Sequence, residues 1–262
     1  MVGLPPLVTA VPGRLLARGR EATVHELHGG RVLRRYDDRR DVTGEVAVMR
    51  HVADHGFPVP AVHGLYVDTD GRVSGMVLER VDGPSLVEAA VRGDVDPGQA
   101  GPVLAGLHEQ LHRIPVEGLP PSSQWAPSGS AAASSRTVRA GDVVVHLDLH
   151  PANVLLADGE PVVIDWSIAR TGPATLDTAM TAMTLAAAAI AGIPGDAGDV
   201  SRLVVSPEFL TSILESYVAA LSEPPTPSLE RAVWVLDRIG AQPPGVVRAA
   251  SELVREVVRA VG

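Results

Sequence analysis

Short alternating runs dominate the first third of the chain, and a longer, helical period dominates the rest. Arg14-Leu15-Leu16-Ala17-Arg18 reads as a strand, Gly19-Arg20-Glu21-Ala22-Thr23 as a turn, and Val24-His25-Glu26-Leu27 as a second strand. His28-Gly29-Gly30 is a hairpin signal, because glycine reaches the positive-φ conformations that tight hairpin turns require. Arg31-Val32-Leu33-Arg34-Arg35-Tyr36 is the returning strand. From Asp41 to His55 the period changes: Val42, Val46, Met49 and Ala53 recur at helical spacing, with Glu45 near the start. Gly56-Phe57-Pro58-Val59-Pro60 stops that helix. Two more strands flank Thr69-Asp70-Gly71, the second running from Ser74 to Val81, and Asp82-Gly83-Pro84 then breaks the chain.

Beyond that break the pattern predicts helices over Val103–His112, Pro207–Leu221, Leu229–Ile239 and Val246–Val261. Residues 120–135, rich in Ser, Ala and Pro, read as a loop, and Val143 to Trp166 as a hairpin-like segment. The charge-free stretch between Asp177 and Asp196 is rich in Ala and Thr, which suits a buried core helix better than a membrane span. Strands first and helices afterwards predict an α+β architecture of two lobes. The boundary falls at the Asp82 break: residues 1–82 form a small antiparallel-sheet lobe with one helix, and 83–262 a larger helical lobe.

Composition narrows the function. The 262 residues are 45% hydrophobic, enough for a sizeable core, but only 3% aromatic, so Val, Leu and Ala must build it. A net charge of −9 argues against nucleic acid as a partner, because phosphate backbones need a basic surface. The absence of cysteine removes disulfides, thiol nucleophiles and Cys-based zinc sites. With no basic, apolar leader at Met1, a cytoplasmic protein with no membrane partner is expected. His51 and His55, like His108 and His112, stand at zinc-binding helical spacing, but no third ligand is evident and they read as packed or exposed histidines. Lysine is absent altogether, so every cationic side chain other than histidine is arginine.

The segment His146-Leu147-Asp148-Leu149-His150-Pro151-Ala152-Asn153, followed by Val162-Val163-Ile164-Asp165-Trp166, carries the most chemistry. Phosphoryl transfer needs a group to orient the attacking hydroxyl and hard oxygen ligands for the metal that offsets phosphate charge. Asp148 is placed for the first task, and Asn153 and Asp165 for the second, with Mg2+ as the metal.

This order of Asp, Asn and a strand-ending Asp resembles the catalytic core of the protein-kinase-like fold. The His-Pro after Asp148 and the Ile-Asp-Trp at Asp165 look like the aminoglycoside phosphotransferase and choline kinase branch, as an actinobacterial-type small-molecule phosphotransferase. The resemblance runs from about Leu15 to about Leu221 and implies ATP, with GTP as the other candidate nucleotide, and a small-molecule hydroxyl as acceptor. It implies that Glu45 pairs with a strand cation, that Leu78 gates the adenine pocket, and that the backbones of Glu79 and Val81 bind adenine. Gly19 to Thr23 matches the phosphate-covering loop, and Asp177 a structural aspartate that braces the catalytic loop, with His146 and His150 bracing beside it.

The family's strand lysine has no counterpart. Strand alternation aligns Arg34 with it, and Arg35 takes that place if the register slips by one. Arginine keeps the charge but presents a planar fork. A nucleotide-binding pseudokinase without turnover is therefore the alternative reading, while the short span from Asp165 to Asp177 leaves little room for the peptide-docking segment of a protein kinase. The acceptor pocket is expected among the helices after Asp177 and the 120–135 loop, where Asp196, Asp199, Glu208 and Glu215 either supply negative charge for an amino sugar or quaternary amine or stand as solvated helix faces. Oligomeric state is not legible in the sequence.

Overall fold

The alternating segments pair into one sheet. The computed structural model describes residues 4–19, 21–37, 40–119, 140–192, 205–240 and 242–262. Its six-stranded sheet has the order β1-β5-β6-β4-β3-β2, with β1 (Leu7–Val8), β2 (Leu15–Arg18), β3 (Ala22–Leu27), β4 (Arg31–Tyr36), β5 (Val62–Val67) and β6 (Val73–Glu79). All pairings are antiparallel except that of β1 with β5. Gly29 and Gly30, at φ 75° and 66°, make the β3–β4 hairpin turn that the sequence signals. The predicted Gly19–Thr23 turn is shorter than expected, because Ala22 and Thr23 already pair with Tyr36 and Arg35.

Helix α1 (Thr43–Asp54) buries Val46, Met49 and Val52, while Ala53 is exposed. The apolar face is therefore rotated slightly from the predicted one. The Asp41 carboxylate accepts the Thr43 N–H at 2.9 Å and so holds the helix start. Helix α2 (Leu86–Arg92) escapes the periodicity argument, although Ser85-Leu86-Val87-Glu88 is a capping box: the Ser85 N–H donates to Glu88 at 2.7 Å and Ser85 Oγ accepts the Glu88 N–H at 3.3 Å. Helix α3 (Pro97–His112) starts a turn and a half before the predicted Val103, capped by Asp96, with Pro102 carried inside it.

In the second half, β7 (Val143–Val145) pairs with β10 (Arg170–Gly172), and β8 (Val154–Ala157) pairs with β9 (Glu160–Val163). Helices α4 (Ala174–Ala191), α5 (Pro207–Ala220), α6 (Leu229–Ile239) and α7 (Pro244–Val261) follow. By length and composition α4 could cross a membrane, with a mean hydropathy of 1.3. Yet 67% of it is buried inside the protein, against α5, α6 and α7, which makes it the core helix the sequence predicts. One continuous core runs from Val46 and Met76 beneath the sheet to Trp166, Met180 and Tyr217 among the helices, and a small second cluster of Leu33, Tyr66 and Val77 covers the sheet's outer face. The 120–135 loop lies outside the described residues.

Candidate active site

Alternation along β4 decides which arginine enters the cleft. Leu33 belongs to the outer cluster and Tyr36 to the main core, so Arg34 shares Tyr36's face and Arg35 is left exposed. Arg34 reaches two carboxylates: Nη1 lies 3.4 Å from Glu45 Oε1, and Nη2 lies 2.5 Å from Asp165 Oδ1. The other oxygen of Glu45 accepts the Tyr36 hydroxyl. The Tyr36 ring in turn stacks beneath Arg34, at 5.2 Å, and Arg40, at 4.8 Å. Arg40 pairs with Glu21 at 2.6 Å, which ties the Gly19 turn to the same cluster. Gly19 closes that turn by donating its N–H to Ala22 O at 2.9 Å. Thr23 sits in β3 rather than at the loop tip, buried, with Oγ1 3.2 Å from His25 Nε2.

Leu78 is buried on β6, its Cα opposite Val32 and Val62. Glu79 next to it is pinched against Ala61, giving its N–H to Ala61 O at 2.8 Å and accepting the Ala61 N–H at 3.1 Å. The Arg80 N–H goes to Gly30 O at 2.9 Å, and half-buried Val81 follows.

The opposite wall is the loop between β7 and β8. Asn153 Nδ2 donates to Asp148 O at 2.9 Å and to Asp148 Oδ2 at 3.2 Å, which fixes the Asp148 carboxylate and leaves the amide oxygen out of these bonds. The Ile164 N–H donates to Asn153 O at 2.9 Å and so places Asp165 beside Asn153. Leu147, at φ 67°, and Asp165, at φ 63°, are held in the left-handed region, which non-glycine residues adopt only where the surroundings enforce it. Asp177 provides that enforcement for Leu147. Its Oδ1 accepts the Leu147 N–H at 2.6 Å and its Oδ2 the His146 N–H at 3.0 Å. Thr181, one turn further along α4, donates to Leu149 O at 2.6 Å. His146 joins the two motifs: one ring nitrogen bonds Ile164 O at 3.1 Å, and the other accepts the Asp148 N–H at 3.2 Å.

Charge is distributed unevenly. Burial alone would raise Asp165, but the Arg34 guanidinium holds its carboxyl well below the usual carboxylate range. Burial pushes Glu45 up, against the pull of Arg34. Burial also drops His146 to about 4, so it works as a neutral hydrogen-bonding ring. The amide oxygen of Asn153 and the carboxylate of Asp165 are hard oxygen donors of the kind magnesium prefers. That chemistry fits a nucleotide-bound divalent ion.

The profile of the phosphotransferase enzyme family matches residues 13–135 and 130–199. The chain belongs to this family. A streptomycin 6-kinase from Streptomyces griseus is 36% identical over a 119-residue alignment covering 36% of this chain and 38% of that protein. Among solved structures, an amicoumacin kinase in complex with AMP-PNP, Ca2+ and Ami aligns with a TM-score of 0.52 at 15% identity, covering 94% of this chain and 88% of the other. A thermostable mutant of the aminoglycoside phosphotransferase APH(4)-Ia, in its apo form, aligns with a TM-score of 0.50 at 16% identity, covering 94% of both chains. These structures share the protein-kinase-like phosphotransferase fold.

The structure brings Arg34, Glu45, Asp148, Asn153 and Asp165 together, and leaves Arg35 outside. Sequence reasoning missed Tyr36 and Arg40. Tyr36 stands two positions after Arg34, so alternation could have found it; Arg40 is revealed only by its contacts. Of the candidate acceptor-site acids, Glu208 and Glu215 are exposed on α5, while Asp196 and Asp199 lie outside the described residues. His51 packs as expected, one ring nitrogen 2.7 Å from Pro115 O. His108 and His112 instead meet Asp177, the third partner that the sequence did not reveal.

Proposed function

We propose that the chain is an ATP-dependent phosphotransferase that moves the γ-phosphate to a hydroxyl of a small molecule. The observation that carries this reading is the convergence of Arg34, Asp165, Asn153 and Asp148 on one cleft from segments far apart in sequence. In this reading Asp148 orients the acceptor hydroxyl and takes its proton, and Arg34, positioned by Glu45, binds nucleotide phosphates. Leu78 and the backbones of Glu79 and Val81 bound the adenine, and Gly19 with the start of β3, including Thr23, covers the phosphates. Asn153 and Asp165 would hold Mg2+, which when bound offsets phosphate charge. Residues 1–82 form the nucleotide lobe and 83–262 the catalytic and acceptor lobe of a cytoplasmic enzyme. The streptomycin 6-kinase relative and the amicoumacin and aminoglycoside kinases of like fold direct the acceptor search to amino sugars, aminoglycoside-like compounds and amino alcohols.

The test is a nucleotide-consumption screen with ATP and GTP over aminoglycosides, macrolides, amino sugars, choline-like amines and sugars. Turnover on one class is expected, and Asp148→Ala should lower it by several orders of magnitude while the protein still melts cooperatively. An undiminished rate in that variant removes Asp148 from the chemistry. Stabilisation by MgATP with no turnover on any acceptor overturns the enzyme and leaves a nucleotide-binding module.

A further inference from the structure

We propose that His108, His112 and Asp177 form a binding site for a divalent transition-metal ion, best suited to zinc, that ties helix α3 to helix α4, whose Asp177 braces the loop carrying Asp148. The two histidines are one helical turn apart, so they share a face of α3. Their side chains are 1% and 15% exposed and Asp177 is fully buried. One ligand atom from each of the three lies within 4.8 Å of the others. The two Nε2 atoms stand 3.6 and 3.0 Å from Asp177 Oδ2. Those separations bracket the edge of a zinc tetrahedron, about 3.3 Å for metal–ligand distances near 2.0–2.1 Å.

A hydrogen-bond network alone accounts for His112 but not for His108. The Tyr217 hydroxyl lies 3.0 Å from His108 Nδ1 and 3.5 Å from Thr178 O. His108 Nε2 is buried with no partner at hydrogen-bond distance and lies 3.6 Å from Asp177 Oδ2. A cation shared with Asp177 would give that nitrogen its partner. The Tyr217 contact is also the outer hydrogen bond that a metal-bound imidazole commonly makes, because it fixes tautomer and ring orientation. Two imidazoles and one carboxylate suit zinc, with water as a fourth ligand on the partly exposed His112 side. Asp177 Oδ1 stays with the Leu147 N–H, while Oδ2, which accepts the His146 N–H, would be shared between that bond and the metal.

The test reads metal, not turnover, and so stands independently of the acceptor and the proposed reaction. The full chain, purified without a histidine tag, is assayed for metal content and for zinc affinity by competition with a chromophoric chelator. One tightly held zinc per chain is expected, with a drop in melting temperature on chelation that zinc reverses. Cobalt(II) in its place should give the visible absorption of a tetrahedral site. His108→Leu and His112→Leu should each abolish stoichiometric binding, and His108→Gln, which keeps polarity, serves if the leucine variant does not fold. A wild-type protein that takes no zinc from the chelator, or a His108 variant that binds as much as wild type, overturns the proposal.

Discussion

Arg34 bridges two carboxylates, one of them 131 positions away in sequence. Its fork geometry allows this, since one guanidinium offers separate donors to Glu45 and Asp165 where an ammonium is a single point charge. Arg34→Lys should therefore keep the pair with Glu45 and lose the reach to Asp165, lowering kcat/KM for ATP about tenfold or less, whereas Arg34→Ala should lower it about 10²–10³-fold, the usual effect of deleting one charge-stabilising donor. Steady-state kinetics with ATP varied at saturating acceptor separate the two, and wild-type values in Arg34→Ala would exclude Arg34 from the phosphate site. The alignment of Arg34 was readable from alternation on β4. Its contact with Asp165 was not, because that depends on how two distant segments are brought face to face.

At the scale of elements, close approach matters more than propensity. Gly101 lies where α3 crosses α5, and a Cβ there would fall 2.2 Å from Tyr217 N. Gly to Ala normally strengthens a helix by roughly 0.5–1 kcal/mol. Here Gly101→Ala should instead destabilise by about 1–3 kcal/mol, as overpacking does, read from the midpoint of urea unfolding. A stabilised variant would mean that α3 and α5 do not pack this closely. Helices α5 and α6 were legible almost to the residue from their apolar stripes, and α7 to within one turn. The start of α3 was not, since Asp96-Pro97 is a capping signal rather than a periodic one, and the predicted span began only at the first apolar run.

For the whole molecule, buried neutral histidines should set the acid limit of stability. His146 is dropped from 6.5 to about 4 by burial, and burial lowers His108 in the same direction. Between those values the unfolded chain binds protons that the folded chain does not, so stability is full above about pH 6.5 and falls as pH drops toward 4. His146 alone should cost about 2 kcal/mol by pH 5, at about 1.4 kcal/mol per unit of pH. Urea unfolding at pH 7 and pH 5 measures the loss, and His146→Asn should flatten the dependence; an equal slope in that variant would mean that His146 does not contribute. The same burial lets His146 link the Asp148 and Asp165 motifs through neutral hydrogen bonds.

The sequence by itself determined the α+β composition, the sheet-then-helix order and the spacing of Asp148, Asn153 and Asp165 on which the proposed site rests. Local spacing and periodicity carry that information, and each signal lies within a few residues. Only the tertiary structure decided that Arg34 reaches Asp165, that Arg40 joins the same cluster, and that His108 and His112 converge on Asp177. Those choices depend on which faces of β4, α1, α3 and α4 are buried against one another, and burial against a distant partner leaves no local trace in the chain.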